Sequence, residues 1–253
     1  MELANRLIEE KQDKFHGGLY HKTQVNLAYN SNRIEGSRLS EEQTRYIFEI
    51  RTIGFKEEEA VPVDDIIETC NHFVVFDYML VTLKQPLSTE IITEFHKILK
   101  FGTEDSLKYR FSNGNWKKKS LEFRCANTSE FEYLNMDIEK LHEWYFNEEV
   151  ISLETIVRYH YRFMNIHPFR NDNGRVGRLI MFRECLKNHI VPFIIDDSHK
   201  QFYYQGLNEF KNGQDFLLNT CRLAHDTYNH WIYHFYPDHF IKSNPTHIKT
   251  NTI

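Results

Sequence analysis

The residues of this chain best suited to chemistry lie between His160 and Arg178. Ile156, Val157, His160, Phe163 and Met164 recur at helical spacing, and Pro168 disfavours helical backbone at the residue before it. His167 is therefore expected at or just past a helix C-terminus, with its imidazole at the rim of a loop. Asn173-Gly174 supplies residues that tolerate positive φ, after which Val176, Leu179, Ile180, Phe182 and Leu186 resume a helical stripe. A helix N-terminus entered through such a turn presents unpaired N–H groups and a partial positive charge, which suit a phosphate. Arg175 and Arg178, three apart on the first turn, project to one side and can fork onto phosphate oxygens. A histidine titrating near neutrality beside a polyphosphate cradle points to a general base that takes a proton from a hydroxyl attacking phosphorus.

The elements that must hold this loop are helical. A modest amphipathic helix runs from about Glu2 to Lys14 and stops at His16-Gly17-Gly18; a second runs from Leu19 to about Ile34, with Gly36 as its stop. Ser31 and Glu35, four apart, share a face at the end of that second helix. Ser40 with Gln43 forms a capping box for a helix to about Ile53, Pro62 opens a long apolar helix, and Ser88 caps another that Gly102 ends. Ser129 with Glu132 starts a helix through Trp144, and Ser152 caps the one leading to His167. Phe202 to Phe210 and Phe216 to Phe235 mark two more. Between about 111 and 128 the helical pattern breaks into the turn cluster Ser112-Asn113-Gly114-Asn115 and the alternating Leu121-Glu122-Phe123, as in a hairpin. The expected fold is all-α, with roughly eight to ten helices and one small β-hairpin. N-terminal helices occupy 1–60, the core 61–242, and a polar tail expected to fray 243–253.

At 253 residues the chain suits one compact unit. A net charge of −5 leaves no basic footprint for nucleic acid and no polybasic membrane patch. The N-terminal residues lack a signal-peptide layout, and no apolar run approaches the length of a membrane span. Cys70, Cys125, Cys185 and Cys221 are scattered, which fits reduced thiols and a cytoplasmic setting. His230 and His234 have helical ligand spacing but no acidic or Cys partner at a matching interval. No Walker loop, His-Glu-x-x-His or nucleophile elbow is present.

The loop resembles the signature of Fic-domain proteins, His-Pro-Phe-x-(Asp/Glu)-Gly-Asn-Gly-Arg-x-x-Arg, with His167, Pro168, Phe169, Asn173, Gly174, Arg175 and Arg178 matching position by position. The resemblance extends over roughly residues 20 to 235 and implies transfer of AMP from ATP to a Ser, Thr or Tyr hydroxyl of a target protein. It implies His167 as the base, the turn at Asn173-Gly174 as the phosphate holder, and Arg175 and Arg178 as ligands of the phosphate tail. It also implies that Tyr203 or Tyr204 borders the adenine. The hairpin would be a flap that docks an extended target segment by strand addition. Ser31-Asn32-Arg33-Ile34-Glu35-Gly36 is similar to the family's inhibitory motif, which implies that Glu35 pairs with Arg178 and denies it to the γ-phosphate. Two positions depart from the signature. Asn171 stands where the family has the acid that holds Mg²⁺, and Asp172 stands where it has Gly. An Asn oxygen can ligate Mg²⁺ but brings no charge, and Asp172 either takes over the ligand role or does not. Three readings result: an autoinhibited AMP-transferase, a nucleotide-binding protein of weak activity, or a hydrolase that removes AMP from a modified protein.

Overall fold

The computed structural model describes residues 3–54, 60–108, 128–213 and 215–237. The hairpin expected over about 111–128 lies outside the described residues, apart from Thr128, which opens a helix. Cys125 and the tail over 243–253 also lie outside them.

The described residues form α1 (Leu3–Gln12), α2 (Leu19–Ile34), α3 (Glu41–Ile50), α4 (Val63–Val81), α5 (Thr89–Lys100) and α6 (Glu104–Lys108). They continue as α7 (Thr128–Phe146), α8 (Leu153–Ile166), α9 (Asn173–Lys187), a 3-10 turn (Asp197–His199), α10 (Lys200–Glu209) and α11 (Asp215–Phe235). The fold is all-α. The extra helix beyond the expected number is α6, five residues long and too short to show a periodic stripe. No described helix is long and apolar enough to cross a membrane.

Local chemistry sets the helix ends. Ser40 and Gln43 close a reciprocal capping box on α3, and Ser152 with Thr155 does the same for α8. Ser88 accepts from the Ile91 N–H at the start of α5. Arg51 turns left-handed at φ 55° and ends α3 earlier than the expected Ile53. Glu35 is the C-terminal cap of α2, and Gly36 comes next at φ 105°, a conformation that glycine adopts freely.

The middle of the molecule is α9. Every residue from Asn173 to Leu186 is buried, so the helix is enclosed on all sides rather than along the single stripe that its apolar residues suggest. It packs against α8, α2, α4, α5 and α1. Two of its buried polar side chains show how: Arg183 donates to the carbonyls of Thr82 and Gln85, both at 2.7 Å, and pairs with Glu184, which accepts from the Tyr145 hydroxyl at 2.9 Å. Gly177 allows α8 to come close, because a Cβ there would stand 2.6 Å from the His160 ring. One apolar cluster joins α1, α2, α4, α5, α7, α8 and α9; a second, containing Ile34, Ile156, Met181, Cys185, Tyr203, Leu217 and Cys221, holds α10 and α11 to them. Together these clusters fix the ends of α8, α9 and α2 relative to one another.

Candidate active site

His167 is the C-terminal cap of α8 and adopts φ 50°, ψ 60°, with its N–H on the Phe163 carbonyl at 2.9 Å. Its side chain is at the surface. Five residues later Asp172 is the N-terminal cap of α9, at φ 68°. The left-handed turn therefore falls at Asp172, not at Asn173-Gly174, which already belong to the first turn of α9. Asp is one of the few residues that tolerate this region, so the chain keeps at Asp172 the backbone for which the signature provides a glycine. Asn173 closes the loop: its Oδ1 accepts from the Phe169 N–H at 2.9 Å, and its Nδ2 donates to the Phe169 carbonyl at 2.8 Å. The same Nδ2 lies 3.2 Å from each ring nitrogen of His167. Asn173 is thus the brace that orients the histidine. Phe169, fully buried, stacks on His96 of α5 at 4.0 Å with the planes 2° apart. Burial pushes the His96 imidazole down to about 4.

Arg178 is buried and turned onto α2. Its Nε donates to the Ser31 Oγ at 3.1 Å, and its Nη2 donates to the Ser31 carbonyl at 2.9 Å and to the Glu35 Oε1 at 2.7 Å. Burial disfavours the charged guanidinium, but Glu35 outweighs that cost and holds its pKa above the ordinary value. The Glu35 carboxylate lies directly against Gly174: a Cβ at that position would overlap it. The role of Gly174 is therefore close approach, in the first turn of a helix whose N–H groups favour an anion. Arg175, expected on the phosphate tail, is engaged by protein groups instead. It pairs with Glu68 of α4 and with Asp172, and donates to the Asn32 Oδ1 at 3.2 Å. Beneath both arginines His72 is wholly buried, and burial together with the two guanidiniums pushes its pKa down to about 3.

The two tyrosines separate. Tyr203 is fully buried, with its hydroxyl 2.6 Å from His160 Nε2, so it does not border an open pocket; the apolar cluster behind α2 has claimed it. Tyr204 is half-buried on the side of Glu35, whose charge adds to burial in raising its pKa. The two residues considered for Mg²⁺ do not fit it. Asn171 is exposed, and its Nδ2 donates to Asp105 Oδ2 at 2.7 Å. The Asp172 side chain is fully buried and already paired with Arg175 and with Lys100 Nζ, the latter at 3.2 Å. A hard divalent cation needs open anionic oxygens and room for its waters, and neither position offers both. Sequence reasoning missed Glu68, Asn32, Asp105 and Lys100. The one available signal was a lysine at the end of α5 that falls on its buried stripe, eight residues after Ile92 and four after His96.

The architecture defines a class: a helical domain in which a histidine-capped helix feeds, through a short loop, a helix start that faces a carboxylate of the chain itself. Residues 86–185 match the model of the Fic/DOC family, and the chain is a Fic-domain protein. It is 24% identical over 244 residues to the protein adenylyltransferase Fic of Nematostella vectensis, a match covering 89% of this chain and 55% of that protein. It is 26% identical over 191 residues to the protein of the same name from Drosophila erecta, covering 73% of this chain and 37% of the relative. The chain thus spans about half or less of the length of these relatives. Among solved structures, a Fic domain containing signaling protein from Bacteroides thetaiotaomicron superposes with a TM-score of 0.68 at 17% identity, over 90% of this chain and 94% of that one. Fic-1 from C. elegans gives 0.68 at 20% identity, over 90% and 69%. These likenesses establish the fold.

Proposed function

We propose that this chain is a protein adenylyltransferase, moving AMP from ATP to a Ser, Thr or Tyr hydroxyl of a target protein, and that its own α2 holds it in check. One observation carries the reading. The Glu35 carboxylate rests on Gly174 at the start of α9 and pairs with Arg178, so an anion of the chain stands where the helix start favours a phosphate. The names of the curated relatives support nucleotidyl transfer as the chemistry.

In this mechanism Glu35 withdraws, and the γ-phosphate takes its place on Arg178. His167, held by Asn173, accepts the proton of the target hydroxyl. The oxygen attacks the α-phosphorus, a new O–P bond forms, and the bond to the β-phosphate bridging oxygen breaks, releasing pyrophosphate. The adenine lies on the side of Tyr204. The target is proposed to dock by strand addition at the flap over 111–128. The setting is proposed to be the cytoplasm, in keeping with the free thiols Cys70, Cys185 and Cys221.

A second reading, a protein that holds nucleotide without turnover, draws support from the misfit of Asn171 and Asp172 to Mg²⁺. Incubation with α-labelled ATP separates the two. The transferase reading expects covalent label on the Glu35→Gly chain or on a partner, and much less with the wild type. ATP bound at equilibrium with no covalent label in either chain would favour the second reading.

A further inference from the structure

Behind the loop, one lysine and one arginine face three carboxylates. Lys100, the last residue of α5, has a side chain 8% exposed and places Nζ 3.0 Å from Glu68 Oε1, 3.2 Å from Asp172 Oδ2 and 3.5 Å from Asp105 Oδ2. These carboxylates come from α4, from the loop and from α6. Arg175 neutralises Glu68 and Asp172 from the other side, and Asn171 Nδ2 donates to Asp105. Burial opposes the charge on Lys100, but Asp172 and Glu68 outweigh it and raise its pKa, so the ammonium persists. The same balance works on Asp172, where burial is outweighed by Arg175 and Lys100 and the carboxylate stays ionised.

The signature's acid at the Asn171 position thus has a counterpart one residue later. The turn at Asp172 buries that carboxylate against a lysine instead of leaving it open. A point charge with three oxygens at 3.0–3.5 Å, from three separate elements, occupies the space a divalent ion would need. We propose that the Lys100 ammonium is the resident cation among Glu68, Asp105 and Asp172, standing in place of a divalent metal, so that this chain recruits no Mg²⁺ through these side chains. The consequence for nucleotide rests on the transferase reading above: phosphates entering the loop bring their own counterions.

The cation assignment is tested without nucleotide, so its failure is separable from failure of that reading. Mn²⁺, as a probe for Mg²⁺, is titrated into the full chain and the free ion is monitored by electron paramagnetic resonance. The wild type is expected to bind no Mn²⁺ tighter than about 1 mM, since the oxygens that hard cations require are already paired. Lys100→Met removes the ammonium from among Glu68, Asp105 and Asp172 and is expected to gain a Mn²⁺ site below that concentration, which Lys100→Met with Asp172→Asn loses again. A wild-type site tighter than about 1 mM that Asp172→Asn abolishes overturns the proposal. So does a folded Lys100→Met chain that gains no site. If Lys100→Met does not fold, the wild-type titration decides alone.

Discussion

His167 and Gly174 do their work in opposite ways, one through the ring it carries and the other through the side chain it lacks. Asn173 braces the His167 ring at the mouth of the loop, so His167→Ala should reduce label transfer by about 10²–10⁴-fold in a Glu35→Gly background, the usual worth of a positioned acid–base group. ATP affinity measured on the same chain should stay nearly unchanged, and retained transfer would remove His167 from the base role. At Gly174 a methyl would overlap the Glu35 carboxylate and stand 3.0 Å from Arg178 Nη1. In the Glu35→Gly background, Gly174→Ala should therefore weaken ATP binding by about tenfold, or ~1.4 kcal/mol, by blocking approach of a phosphate to the helix start. An unchanged dissociation constant would mean that phosphate does not sit there. The sequence points to His167, Arg178, Ser31 and Glu35 through short local motifs, whose spacing puts them together and whose resemblance to the Fic signature and inhibitory motif gives them roles. It does not reveal the partners of Arg175 and Asp172, because Glu68 and Lys100 lie far off in the chain and meet the loop only through tertiary packing. It also places both arginines on the phosphates, whereas Arg175 is engaged by Asn32, Glu68 and Asp172.

At the level of elements, α2 faces the site with Ser31, Asn32 and Glu35, and its own position depends on its contacts with α4 and with the entry to α3. Asn32 Nδ2 donates to Thr69 of α4 at 3.1 Å, and Leu39, buried at the entry to α3, packs in the cluster with Ala28, Ile47 and Phe73. The capping box at Ser40 fixes the start of α3, so Ser40→Ala should destabilise the chain by about 1 kcal/mol, with amides of α3 exchanging faster than those of α9. Uniform protection across α3 and α9 would show that the cap is dispensable. Most helix boundaries are legible because Ser, Gly and Pro mark them chemically. The left-handed end of α3 at Arg51 is not, since arginine carries no such mark. The all-round burial of α9 is hidden for a related reason: its polar residues read as a solvent face until Thr82, Gln85 and Tyr145 are found around them.

For the molecule as a whole, the enclosure of α9 traps three neutral histidines, His72, His96 and His160, with burial pushing His72 and His160 down to about 3 and His96 to about 4. In the unfolded chain each would protonate near 6.5, so below that pH the unfolded state binds more protons. Their stabilisation is complete above pH 6.5 and is lost as pH falls toward 4 for His96 and toward 3 for His72 and His160, at roughly 1 kcal/mol per pH unit for each histidine. The urea midpoint should therefore drop between pH 7 and pH 5; a flat midpoint would mean that these rings are not buried neutral. The family match covers 86–185, whereas α2 lies outside it and still reaches the site, so the Glu35–Arg178 contact joins the matched segment to a helix beyond it. That contact is tested most directly by the dissociation constants of ATP and AMP for the wild type and Glu35→Gly, measured by calorimetry. If Glu35 holds the γ-phosphate position, removing it should tighten ATP by about tenfold or more, a coupling of ~1–3 kcal/mol, and leave AMP within about threefold. Equal ATP affinity in the two chains, or an equal gain for AMP, would show that Glu35 does not occupy that position.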